Sequence, residues 1–163
     1  METVDLSRLA RSIDHTLLKP GAGETDIVEL CRQGREWGFA AVCVNPVGVE
    51  QAARELEGSP VAVASVCGFP LGATTTAAKV FEAREALAAG AAEIDVVLDI
   101  GWALEDRWES VSHELAELAR ATHGEGGRLK VILECGLLDD VRKAEAARRA
   151  VARRRFQSRA SAP

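Results

Sequence analysis

The sequence predicts an α/β protein built on parallel strands, and three observations predict it. Four short runs rich in β-branched and aliphatic residues recur at 39–44, 61–67, 93–101 and 128–134. Each is followed by a segment of helical length whose apolar residues gather on one side. Glycine and proline punctuate the junctions, as at Gly38, Gly58-Ser59-Pro60 and Gly90. One helix followed by strand–helix four times over implies parallel strands joined by right-handed crossovers, with helices outside. An open doubly wound sheet and a (β/α)8 barrel both satisfy that pattern. No G-x-G-x-x-G follows the first strand and no G-x-x-x-x-G-K-[ST] occurs, which weakens the nucleotide-binding open sheet.

Taken in order, Leu6, Leu9 and Ile13 suggest a short amphipathic helix, followed by Asp14-His15-Thr16 and a break at 20–23. Thr25 can cap a helix running to about Trp37, with Ile27, Leu30, Cys31 and Gly34 on one side and Gly38 ending it. Residues 39–44 form the first strand, and Asn45-Pro46 reads as an N-cap and first helical residue. The second strand leads into the loop Gly68-Phe69-Pro70-Leu71-Gly72, stiff at its proline and able to approach a ligand at its glycines. A helix over about 75–89 offers Val80, Phe81, Ala83, Leu87 and Ala88 for burial. The third strand spans 93–101, and a helix over about 105–122 turns Val111, Leu115 and Leu118 inward. The fourth strand is followed by a last helix that runs into a cluster of arginines.

Composition excludes several classes. The 163 residues suffice for one domain with a proper core, and 47% are hydrophobic. No apolar run reaches the roughly 18 residues a membrane span needs, and the acidic start lacks a signal peptide's basic and apolar regions, so a cytoplasmic location is expected. Cys31, Cys43, Cys67 and Cys135 form no C-x-x-C pair and are expected to be free thiols. His15, His113 and His123 lack metal-ligand spacing, so no metal site is expected. From residue 142 onward seven arginines and one lysine against Glu145 give a formal +7, leaving −12 on residues 1–141 of a chain with net charge −5. An acidic body is a poor general nucleic-acid binder.

The strand faces carry the chemistry. Ile94, Val96, Leu98 and Ile100 share one face of the third strand, and Asp95, Val97 and Asp99 share the other. A structural strand buried on both sides should be apolar on both. Cys43 with Asn45, and Lys130 with Glu134, likewise alternate with aliphatic residues. In a barrel the aliphatic faces pack on the helices, and a lysine, carboxylates, a thiol and an amide converge on the interior. Such a cluster suits proton transfer or amine chemistry, because desolvation and neighbouring charges move pKa values. Glu134 is suggestive because barrel sites sit at the C-terminal ends of strands. The competing readings are an edge strand with a wet face for the two aspartates, a solvent-exposed Lys130, Cys43 as a small core residue and Asp14-His15 as a capping pair.

Five motifs in register resemble the deoxyribose-phosphate aldolase family: Ile13-Asp14-His15-Thr16-Leu17-Leu18-Lys19-Pro20, Ala41-Val42-Cys43-Val44-Asn45-Pro46, Gly68-Phe69-Pro70-Leu71-Gly72, Glu93-Ile94-Asp95-Val96-Val97 and Leu129-Lys130-Val131-Ile132-Leu133-Glu134. The resemblance implies a (β/α)8 (TIM) barrel and a class I aldolase, a lyase of deoxyribonucleotide and carbohydrate catabolism. That reaction cleaves 2-deoxy-D-ribose 5-phosphate to D-glyceraldehyde 3-phosphate and acetaldehyde through a lysine Schiff base, without a metal or other cofactor. It implies that Asp95 is the catalytic proton relay, that Asp14 supports the site and that Cys43 lies near the pocket. Lys130 matches a strand lysine that is not the Schiff-base former. Where this chain has Asp99 the family usually has asparagine.

The resemblance extends to about residue 150. The family's Lys-Thr-Ser-Thr-Gly-Phe strand, with the Schiff-base lysine, and its glycine-rich phosphate loops have no counterpart here. The expectation is therefore a barrel truncated to about its first four βα units over 1–150, followed by a disordered Arg/Ala/Ser-rich tail over 151–163 of the kind a shifted reading frame would give. With open strand edges, such a chain is expected to self-associate and to have little activity alone, with a sugar phosphate as the family's small-molecule partner. Rival readings are a non-catalytic half-barrel interaction module, RNA or acidic-surface binding by residues 142–159, and a different sugar-phosphate aldolase or isomerase.

Overall fold

The structure of the protein, a computed structural model, describes residues 5–152. Five parallel strands form one sheet in the order β1-β2-β3-β4-β5: β1 Asp14–Leu17, β2 Ala41–Val44, β3 Ala62–Cys67, β4 Glu93–Val97 and β5 Arg128–Ile132. Each strand pairs with its successor in sequence. A doubly wound sheet reverses its strand order at a switch point; this one never does, and it has the winding of a barrel wall.

The sheet has five strands where the sequence predicts four. The missed one, β1, is Asp14-His15-Thr16-Leu17, too short and polar to show a β signature. The tail expected over 151–163 lies outside the described residues except for Val151 and Ala152, which belong to the last helix.

The helices follow their local chemistry. Helix α1 (Leu6–Ala10) is capped by the Asp5 carboxylate, which accepts from the Ser7 and Arg8 amides, and it buries none of its residues. Helix α2 (Glu24–Trp37) starts one residue before the predicted cap. Gly23 takes that role, with its amide donating to the Asp26 carboxylate, and Gly38 ends the helix in the left-handed region at φ 64°. After β2, Pro46–Gly48 is a 3₁₀ turn that runs into α3 (Val49–Glu55). Thr75 caps α4 (Thr76–Ala88). Of its expected inward residues Ala83 is buried, but Phe81 is exposed, and Lys79 takes its place inside. Helix α5 (Ile100–Leu104) precedes α6 (Trp108–Gly124), and α7 (Asp140–Ala152) follows β5.

The core divides by strand face. Val42, Val44, Val63, Ile94, Val96 and Leu98 point outward into the main core beneath the helices, and Ala41, Cys43, Ala64 and Val66 form a smaller cluster on the other side. The sheet is strongly curled about that second side. Strands are spaced about 4.8 Å apart, so β1 and β5 would be roughly 19 Å apart in a flat sheet. Instead Lys130 on β5 reaches Asp14 on β1 directly. The concave face is the inside of a barrel wall.

Candidate active site

Strand alternation brings Asp14 of β1, Cys43 of β2, Glu93 and Asp95 of β4 and Lys130 of β5 to the concave face. Register puts Asp95 opposite Lys130 and Glu93 opposite Arg128. Lys130 is the hub. Its Nζ lies 3.2 Å from Asp95 Oδ1 and 3.3 Å from Glu93 Oε2, and it donates to Asp14 Oδ2. Glu93 is 6% exposed and also pairs with Arg128 at the start of β5. The Cys43 thiol donates weakly to Asp95 Oδ2 over 3.9 Å.

These contacts set the proton affinities. Burial raises the pKa of Asp95, with Lys130 opposing and the carboxylates of Asp14 and Glu93 reinforcing the rise. Burial works to discharge Lys130, but the hydrogen bond to Asp14 and the charges of Asp95 and Asp14 prevail and hold it above the usual lysine range. The Cys43 thiol is pushed up to about 12, first by burial and then by the Asp95 charge. It stays protonated at neutral pH and cannot serve as a nucleophile. The arrangement thus offers a carboxyl that can exchange a proton, held against a permanent cation.

The other residues singled out in the sequence fall elsewhere. Strand β4 ends at Val97, and Asp99 is the N-cap of α5, its carboxylate accepting from the Trp102 amide at 2.9 Å. The two aspartates therefore do different work. Strand β5 stops at Ile132, so Glu134, expected at a strand end lining the pocket, lies in the following connection. It is exposed, its backbone is left-handed at φ 51°, and it is not among the three carboxylates paired with Lys130. His15 points to the helix side, where it hydrogen-bonds Gln33 at 2.7 Å. Glu93 was the missed member of the cluster. It shares its parity with Asp95, which is the signal that identifies it, but at the first position of the strand it reads as a flanking residue.

The loop 68–72 follows β3 at the C-terminal end of the sheet. Phe69–Pro70 is a cis peptide, and Gly72 (φ 67°) packs so tightly just past the end of β4 that a Cβ would overlap the Leu98 carbonyl oxygen. Among the described residues no group of three or more His, Cys, Asp or Glu side chains is placed to hold a metal ion, and no helix is long and apolar enough to cross a membrane.

A singly wound parallel sheet, curled about a lysine–carboxylate cluster, defines a protein of the β/α-barrel type with its candidate site on the concave face. Comparison narrows the class. Residues 8–155 match the model of the DeoC/LacD family aldolases. Over 139 residues the chain is 50% identical to a deoxyribose-phosphate aldolase of Desulfitobacterium hafniense, covering 85% of this chain and 64% of that protein. It is 46% identical over 132 residues to the deoxyribose-phosphate aldolase of Treponema denticola, covering 81% and 61%. The fold superposes with a TM-score of 0.80 on the tetrameric deoxyribose-phosphate aldolase of Aeropyrum pernix, at 36% identity over 90% of this chain and 62% of that one. The chain belongs to the DeoC/LacD family of aldolases. It spans a little under two thirds of the length of these relatives.

Proposed function

We propose that this chain carries the proton-relay part of a deoxyribose-phosphate aldolase site, which cleaves 2-deoxy-D-ribose 5-phosphate to D-glyceraldehyde 3-phosphate and acetaldehyde. The observation that carries the reading is the partly buried Asp95 carboxyl set 3.2 Å from Lys130, in a chain half identical over 139 residues to an aldolase of that name. In a lysine Schiff-base reaction an uncharged amine attacks the sugar carbonyl, and the carbinolamine then loses water to give an iminium ion. Each step moves a proton, and a carboxyl with a raised pKa can take and return it. Asp95 has that property, and Lys130, itself held by Asp14 and Glu93, stands against it.

Lys130 is unsuited to be the nucleophile. Three carboxylates keep it cationic, and an ammonium has no lone pair to offer a carbonyl. In this reading the attacking amine comes from outside this cluster, and the 163-residue chain by itself has little aldolase activity. Its setting is cytoplasmic deoxyribonucleotide catabolism, with association through the β1 and β5 edges.

Trapping with acetaldehyde and borohydride, followed by peptide mass spectrometry, tests the assignment. No reduced adduct is expected on Lys130. An adduct there would overturn the division of labour between Lys130 and Asp95. Substantial retro-aldol turnover by the purified chain would overturn the expectation of low activity.

A further inference from the structure

On the far side of the sheet lies a second lysine, fully buried, that the proposed reaction does not use. Lys79 of α4 is 0% exposed, and its partner Glu114 of α6 is 1% exposed. Nζ meets Glu114 Oε1 at 2.6 Å, and the Thr76 hydroxyl donates to Glu114 Oε2 at 3.1 Å. Two charges removed from water return little net stability, and apolar side chains of similar volume often serve as well. Stability alone therefore does not account for this pair. What distinguishes it from a hydrophobic contact is the third bond: Lys79 Nζ donates to the Val97 carbonyl at 3.0 Å.

Val97 is the last residue of β4. Cys67, the last residue of β3, stands opposite Val96, so Val97 lies one residue past the end of the β3–β4 ladder. Lys79 supplies its carbonyl with a donor where β3 has turned away. The turn wraps the same lysine. A Cβ at Gly68 (φ 62°) would stand 3.0–3.5 Å from the carbons of the Lys79 stem. One helical turn further along α4, Glu82 accepts the Gly68 amide at 2.7 Å. The Cys67 thiol contacts the Lys79 carbonyl at 3.2 Å. Helix α4 thus fastens two segments at once, the loop after β3 and the end of β4, the strand that carries Asp95. Asp95 sits two residues before Val97 on the same strand face.

We propose that Lys79 is a positioning residue for Asp95: paired with Glu114, it fixes the end of β4 and the loop 68–72 in the one arrangement that sets the Asp95 carboxylate against Lys130 and Cys43. Its relevance to catalysis rests on the aldolase reading, but its effect on Asp95 does not. The titratable groups that face Asp95 are Asp14 from β1, Cys43 from β2, Glu93 from β4 and Lys130 from β5.

The test compares the full chain with its Lys79→Met/Glu114→Leu variant by calorimetry and by carbon-13 NMR titration of the Asp95 carboxyl. A purely structural pair would change the melting temperature and leave the titration alone. Positioning predicts the reverse: a melting temperature close to wild type, and an Asp95 midpoint moved by about half a pH unit or more toward the ordinary aspartate value. An unchanged midpoint in the folded variant overturns the proposal. If the double variant does not fold, Thr76→Val, which removes only the hydroxyl bond to Glu114, is titrated instead. A smaller shift in the same direction supports the proposal, and an unchanged midpoint overturns it. Neither result bears on borohydride trapping, so failure here and failure of the aldolase reading are separable.

Discussion

Two lysines organise the two sides of this sheet, and they are charged for different reasons. Lys130 stands on the concave face with its side chain 36% exposed, shared among Asp14, Glu93 and Asp95. Lys79 lies among the helices with none of its surface exposed and one carboxylate partner, Glu114. The first network has more negative groups than Lys130 can neutralise and is open to solvent, as a cluster that handles protons must be. The second is closed, matched one to one, and also bonded to backbone. Surplus charge on a partly solvent-exposed face points to chemistry, and balanced charge in a dry core points to the fixing of geometry.

The comparison can be broken in three ways. The largest expected effect is at Lys79. Lys79→Met alone strands a fully buried Glu114 carboxylate, and a broken buried pair costs about 3–5 kcal/mol. Urea denaturation reads this, and adding Glu114→Leu should recover most of the loss. A single variant as stable as wild type would show that the pair is not balanced as described.

A smaller loss is expected at Lys130. Lys130→Met leaves three carboxylates facing one another, but water reaches the lysine and screens them, so about 1–3 kcal/mol is expected at neutral pH. The loss should shrink as the pH falls and Asp95, whose pKa is raised, takes up a proton. A loss that does not vary with pH would show that Lys130 acts by packing rather than by charge.

The smallest effect is at Asp95. Its pKa is raised in the fold, chiefly by burial, so folding favours its protonated form more than the unfolded chain does. The stability linked to it is present below the unfolded value of about 3.9 and is lost as pH rises through the folded value. Asp95→Asn removes that loss, so the variant should gain on wild type as pH rises above about 3.9. Denaturation curves across that range check the sign. Wild type gaining on the variant as pH rises would mean that the attraction of Lys130 outweighs burial.

Much of this was legible in the chain. The runs around Val42, Val63, Val96 and Val131 are strands because β-branched residues suit a pleated sheet, and the odd–even alternation in 93–97 correctly separates Asp95 from Ile94 and Val96. Strand ends were less legible. Alternation continues on paper through Asp99 and Glu134, but the chain leaves the sheet at Val97 and Ile132, and a carboxylate past that point caps a helix or faces solvent. Phe81 and Lys79 show the same limit in a helix. Hydropathy predicts the phenylalanine inside, and the packed helix exposes it and buries the lysine.

The sequence by itself determined the parallel winding and the parity of each side chain, because both follow from local backbone geometry and the order of elements. It could not determine which charges meet. Lys130 touches Asp14 across 116 residues only because the sheet curls until β5 faces β1. Lys79 finds Glu114 35 residues on only because α4 and α6 pack side by side. Those encounters depend on how whole elements pack, and a buried charge is tolerated only where that packing supplies its partner.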